Sequence, residues 1–205
     1  MDYNSIATKE SKEKTIASLN QKGYEVFNVE NANDALEKIK EIIPEGVSVM
    51  NGSSTTLNQI GFTDYLKSGE HKWNNLHAAI LAEKDPEKQA KLRRESVLSD
   101  FYLGSVHALI ENGEFIIASN TASQLPHVVF TSPNLIFVVS TKKIVKTNDD
   151  AFKRLESHVI PLENERIQKL YHSDTMLNKI VIFKGENPML GRKVTFILVD
   201  EDLGF

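Results

Sequence analysis

The densest run of apolar positions lies between Ser99 and Lys146. Ser105–Ile110 is rich in apolar residues, Glu111-Asn112-Gly113-Glu114 interrupts it, and Phe115–Ala118 follows as a second apolar run. An Asn-Gly pair between two such runs predicts a β-hairpin closed by a type I′ turn, whose two central residues both take positive φ. Ser119-Asn120-Thr121-Ala122-Ser123 then sets small hydroxyl and amide side chains ahead of a short helical segment. Leu135–Val139 reads LIFVV, apolar at every position. A strand with one wet face would alternate. An unbroken apolar run predicts a strand buried on both faces, in a parallel or mixed sheet covered by helices.

The same reading extends to both sides. Glu10–Asn20 is a helix with Ile16 and Leu19 on one face, stopped by Gly23. Tyr24–Val29 alternates like a half-buried strand. Ala35, Leu36, Ile39 and Ile42-Ile43 recur at helical spacing after Asn31-Ala32-Asn33-Asp34, Pro44-Glu45-Gly46 breaks that helix, and Val47–Met50 is a short buried strand. Strand, helix, strand predicts a βαβ unit with a parallel pair. Phe62–Leu98 reads as helical and polar with a break at Asp85-Pro86. Later come a helix over Asn148–Glu156, another opening at Pro161, and strands at Lys179–Phe183 and Val194–Val199. The expected fold class is α/β: a mixed, mostly parallel sheet flanked by helices. No repeat or linker divides the chain, so one domain is expected over 1–205, with the helix at 9–22 packing on the outside.

Composition narrows the chemistry. The 205 residues include no cysteine, which excludes disulfides, thiolate nucleophiles, zinc–thiolate sites and a self-supplied iron–sulfur cluster. A net charge of −4 argues against general nucleic-acid binding. The N-terminus has no signal-peptide pattern, and no run approaches the roughly 20 apolar residues of a membrane span. The expectation is a cytoplasmic protein.

Two polar turns are candidate sites. Asn51-Gly52-Ser53-Ser54-Thr55-Thr56 follows a buried strand and opens a helix. Gly52 permits close backbone approach. The free N–H groups of a helix start attract anions, and open α/β sheets place ligands at the carboxyl ends of their strands. The plainer reading is a Ser/Thr helix cap. There is no Gly-Lys-Ser/Thr, so this is not a Walker loop. Asn120 and Thr121 in the second turn carry the same two readings, ligand donors or cap. Arg192 either neutralises an anion or pairs with the acidic tail. His107 and His127 have the residue type of a general base. Both sit in apolar surroundings, where a histidine is usually packed. His71 and His77 lack the spacing of a helical metal pair and read as rim histidines. No metal cluster emerges. Lys88–Glu95 alternates in sign as a solvated helix face does.

Several stretches together resemble the LUD domain, the LutC/YkgG lactate-utilisation family. They are SVHALIENGEFIIASNTASQLPHVVFTSPNLIFVVSTKKIV, Asn51–Leu57, Pro161-Leu162 with Arg166, and Gly191–Val194 through Ile197–Glu201 to Leu203-Gly204-Phe205. The resemblance implies a fold like the NagB/RpiA/CoA-transferase group and a role tied to oxidation of L-lactate to pyruvate. It implies LutA/LutB-like iron–sulfur partner subunits, and the lack of cysteine fits the LutC-like chain. No intrinsic cofactor is expected, and the candidate ligand is CoA or a phosphorylated compound. Glu111-Asn112-Gly113 also resembles the Glu-Asn-Gly motif of some CoA-transferases, in which the glutamate attacks an acyl group. The plainer reading of Glu111 is an exposed hairpin tip. The family's Gly-Thr-Gly-Asn-Arg turn is replaced here by Ser119–Gln124, which removes a bidentate anion clamp. Two functions follow as expectations: a ligand-binding accessory subunit without turnover of its own, or a small-molecule enzyme with Asn51–Thr56 as anion cradle and Glu111 as nucleophile.

Overall fold

The computed structural model describes residues 2–205. Helix α1 (Lys9–Gln21) is capped by Thr8, and strand β1 (Glu25–Val29) follows. Helix α2 (Ala32–Ile42) starts where the Asn31 side chain accepts from the Asp34 N–H. Strand β2 (Ser48–Asn51) runs into α3 (Thr55–Gln59), capped by Ser54, and then α4 (Phe62–Ser68). The polar stretch expected as one broken helix divides further. Gly69, left-handed at φ +73°, ends α4, and β3 (Asn74–Asn75) pairs parallel to β2. Helices α5 (Leu76–Ala82) and α6 (Pro86–Glu95) follow, with Asp85 capping α6 and Pro86 in its first turn.

The second half supplies β4 (Phe101–Gly104), β5 (Ala108–Ile110), β6 (Phe115–Ser119), β7 (Asn134–Ser140) and β8 (Ile144–Val145). Next come α7 (Asn148–Arg154), α8 (Ile160–Tyr171), β9 (Lys179–Phe183) and β10 (Lys193–Val199). The expected helices after Asn148 form one continuous rod. A π-helical turn at Leu155–Val159 joins α7 to α8, with the Ile160 N–H reaching back five residues to the Leu155 carbonyl. Pro161 brings no N–H of its own, and the widened turn lets the helix pass through it.

Six strands form a parallel sheet in the order β1-β10-β7-β4-β2-β3, and four form a second sheet in the order β8-β5-β6-β9. The parallel pairing expected within the first βαβ unit is therefore not made. β1 and β2 run parallel in one sheet, but β10, β7 and β4 lie between them. The physical reason is burial. β7 and β10 are apolar along both faces and take interior positions, while β1 keeps exposed Glu25 and Asn28 at the edge.

Alternation along the central strands builds two cores at once. Ile136, Val138, Ile197 and Val199 pack against α2, α3 and α4. Leu135, Phe137, Val139, Phe196 and Leu198 face the other way, onto Leu109, Phe115 and Ile117 of the second sheet. That sheet's outer face, with Ala108, Ile110 and Ile116, packs against Ala151, Leu155 and Val159. The layers run helix, parallel sheet, mixed sheet, helix. α1 sends its buried Leu19 into the core between the sheets.

The hairpin forms as expected with a different turn. Gly113 donates to the Ile110 carbonyl and Ile110 donates to the Glu114 carbonyl, so the loop has three residues, Glu111-Asn112-Gly113. Only Gly113 takes positive φ, +79°. This is a type I turn closed by a left-handed glycine, the usual three-residue alternative to type I′. Among the described residues, no helix is long and apolar enough to cross a membrane.

Candidate functional site

The carboxyl ends of neighbouring strands β2 and β4 open into a cavity of about 690 Å³. The loop after β2, the loop after β6 and Lys143 beyond β7 line it on the sheet side. Helices α5, α6 and α8 wall the other sides. Asn51, Gly52, Ser53, Ser54, Thr55, Asn120 and Thr121 all lie on this one lining. Residues roughly 70 positions apart meet because both turns close strands that end at the same rim.

Lys143 is the most unusual group there. Its side chain is buried, and Nζ contacts Thr56 Oγ1 at 3.0 Å, Ser105 Oγ at 3.1 Å and the Val106 carbonyl at 3.4 Å. Among the described residues no carboxylate lies within the 4.0 Å of an ion pair with Lys143. Neighbouring Lys142 takes Asp202 as its partner. Burial, with the charges of Arg154 and Lys142 added, pushes the Lys143 ammonium well below its ordinary range. Arg154 is itself fully buried. Its Nη1 donates to the His107 carbonyl at 2.7 Å, while Nε and Nη2 find no acceptor among the described residues. Lys143 thus stands on the cavity lining as a buried amine, with the Arg154 guanidinium behind it outside the lining.

His107 adds a fixed donor. Its Nδ1 accepts from the Ala118 N–H at 3.1 Å, which assigns the remaining proton to Nε2. Burial, then Lys143 and Arg154, hold its pKa down to about 3, so the ring stays neutral. His77 stands on the rim with Nδ1 3.4 Å from Asn51 Oδ1, its pKa lowered by burial and by Arg93. His127 stacks on the Tyr102 ring, centroids 4.5 Å apart, and its Nδ1 lies 3.3 Å from Ser99 Oγ and 3.2 Å from Ser132 Oγ. Burial takes His127 down to about 4.

The loop after β2 is shaped by contact with Tyr102. A Cβ on Gly52 would lie 2.5 Å from the Tyr102 hydroxyl, so no other residue fits without movement. Ser54 accepts from the Leu57 N–H, as the cap reading expects. The cap does not exhaust the loop, since the first amides of α3 have no helical partner. The second turn is more committed. Ser119, not Asn120 or Thr121, takes the capping role by accepting from Ala122 N–H. The Asn120 carbonyl and side chain receive Asn178, and its carbonyl also receives Lys179.

Two named residues lie elsewhere. The Glu111 carboxylate points to α1, accepting from Lys14 Nζ at 2.8 Å and Ser11 Oγ at 2.7 Å. The Lys14 ammonium first, then the Ser11 hydroxyl, hold its carboxyl below the usual range. It is neither an exposed tip nor part of the cavity lining. Arg192 commits all five N–H donors: to Glu186 and to the carbonyls of His127, Val128, Val129 and Ser132. It ties down the π-helical turn His127–Thr131, the form taken by the short helix expected there.

Sequence reasoning passed over Lys143 and Ser105 as site residues, and reached Thr56 only as the end of the Asn51–Thr56 turn. The available signal was the Thr-Lys-Lys that ends the LIFVV strand, placing cations at the carboxyl edge of a buried sheet. Among the described residues no three His, Asp or Glu side chains converge as a metal site requires.

This is an α/β protein with a polar cavity at the carboxyl edge of a parallel sheet. The LUD domain family model matches residues 12–180, and the chain belongs to that family. The fold resembles the crystal structure of a DUF162 family protein from Deinococcus radiodurans, with TM-score 0.59 and 12% identity over 95% of this chain and 99% of that one. No curated protein matches the sequence.

Proposed function

We propose that the cavity binds a small organic anion, a carboxylate or a phosphorylated compound such as CoA or a sugar phosphate. In this reading the chain is the LutC-like, ligand-binding subunit of a lactate-utilisation system. Its partners are LutA/LutB-like iron–sulfur chains, which carry the electrons of lactate oxidation. The observation that carries the binding role is buried Lys143, caged by two hydroxyls and a carbonyl with no carboxylate beside it. Burial holds that amine low in proton affinity, so it offers N–H donors to an entering anion and can take up a proton to pair with it. Ser53, Ser54 and Thr55 add donors on the same wall. Family membership supports the lactate connection. Glu111 has no part in this reading, because its carboxylate is held by Lys14 and Ser11 away from the cavity.

The test is thermal shift against L-lactate, pyruvate, phosphate, sugar phosphates, CoA and acyl-CoA. A ligand at about 100 times its dissociation constant stabilises the fold by about 2.7 kcal/mol, a readily visible shift. The expected result is a shift with at least one anion that Lys143→Met removes. A flat panel rejects the binding role. The partner claim is checked separately, by whether the tagged chain brings down iron-containing proteins from its own cells.

A further inference from the structure

Lys143 has a second consequence, which rests on the ligand-binding role above. We propose that Lys143 is an amine nucleophile that condenses with a small compound bearing both an anionic group and a carbonyl, forming an imine at Nζ. Three features of the site point there. Nζ reaches the lining of a cavity large enough for a small metabolite, yet its side chain is almost wholly withdrawn from solvent. Its partners are all neutral, and they match the needs of an uncharged amine. That amine donates two hydrogen bonds and accepts one, and the Val106 carbonyl accepts while the Thr56 and Ser105 hydroxyls can each accept or donate. The nearby charges, Arg154 and Lys142, repel a proton from Nζ, and His107 beside them is neutral. Desolvation beside other cations is a known route to a reactive lysine.

The step balances without an oxidant or reductant. The Nζ lone pair adds to the carbonyl carbon, and one amine proton passes to the carbonyl oxygen. That hydroxyl then leaves with the second amine proton as water, and a C=N bond remains. Proton transfer has a ready path through the Thr56 and Ser105 hydroxyls. The donors of the Ser53–Thr55 wall seat the anionic group of the same molecule.

The experiment uses the wild-type chain with glyoxylate and sodium cyanoborohydride, followed by peptide mass mapping. A reduced adduct on Lys143 is expected well ahead of exposed Lys9 and Lys67. Burial lowers the amine's pKa and enlarges its neutral, reactive fraction, so a several-fold preference for Lys143 over the surface lysines is the expected reading. Lys143→Arg, which keeps a cation, loses the adduct. Labelling confined to surface lysines overturns the proposal. If glyoxylate still raises the melting temperature in that case, the cavity binds anions through a charged lysine and the ligand-binding role stands. If it does neither, both readings fall for this ligand class.

Discussion

Gly52 shows how one residue ties the fold to the site. Its missing side chain lets the loop after β2 lie against the Tyr102 hydroxyl. Gly52→Ala is expected to destabilise the protein by about 1–3 kcal/mol, the usual cost of overpacking. Tyr102→Phe opens the space. In a double-mutant cycle the combined loss should fall short of the sum by more than about 0.5 kcal/mol, read by urea denaturation. Additive losses reject the contact as the cause. The buried histidines belong to the same scale. His107 at about 3 and His127 at about 4 sit below the unfolded value, because burial favours the neutral ring. Unfolded chains therefore bind more protons, and stability is lost as pH falls below about 6.5, by up to roughly 1.4 kcal/mol per unit for each ring. Denaturant melts from pH 7 to 5 should show this slope, and His127→Gln should make it shallower.

Elements were the most legible level. The continuous apolar runs at Leu135–Val139 and Val194–Val199 form β7 and β10, each buried on both faces. The alternation within β10 is set by its two neighbours, with Ile197 facing the helices and Leu198 the second sheet. Leu198→Ala is expected to cost about 2–5 kcal/mol, as large-to-small changes in a packed core do. A loss below 1 kcal/mol in chemical denaturation would show that the core between the sheets is loosely packed. The turns were harder to read. Asn112-Gly113 signals a hairpin in either turn type, and the choice depends on where Glu111 goes. Its carboxylate finds Lys14 and Ser11 on α1, one hundred residues earlier in the chain, a partnership no local pattern announces.

At the scale of the molecule, strand order governs assembly. β10 comes last in the chain but sits between β1 and β7, pairing with both over five and seven residues. Deleting residues 193–205 should therefore leave no cooperative thermal transition by calorimetry, since β1 would lose its partner, the edge of β7 would be bared and both cores would lose Val194–Val199. A truncated chain that still melts sharply would show that β1 needs no partner. The family match ends at residue 180, short of this strand, so the match alone does not reveal its place.

By itself the sequence determined the α/β class, most strands and helices, and the two turns that share one cavity wall. These follow from local periodicity, capping residues and the position of polar turns after buried strands. Tertiary structure alone decided the strand order, the split into two sheets and the burial of Lys143. It also turned Glu111 towards α1 and spent Arg192 on backbone carbonyls. Those outcomes depend on which distant groups become neighbours. Burial and charge compensation are properties of the packed chain, and no stretch of sequence carries them alone.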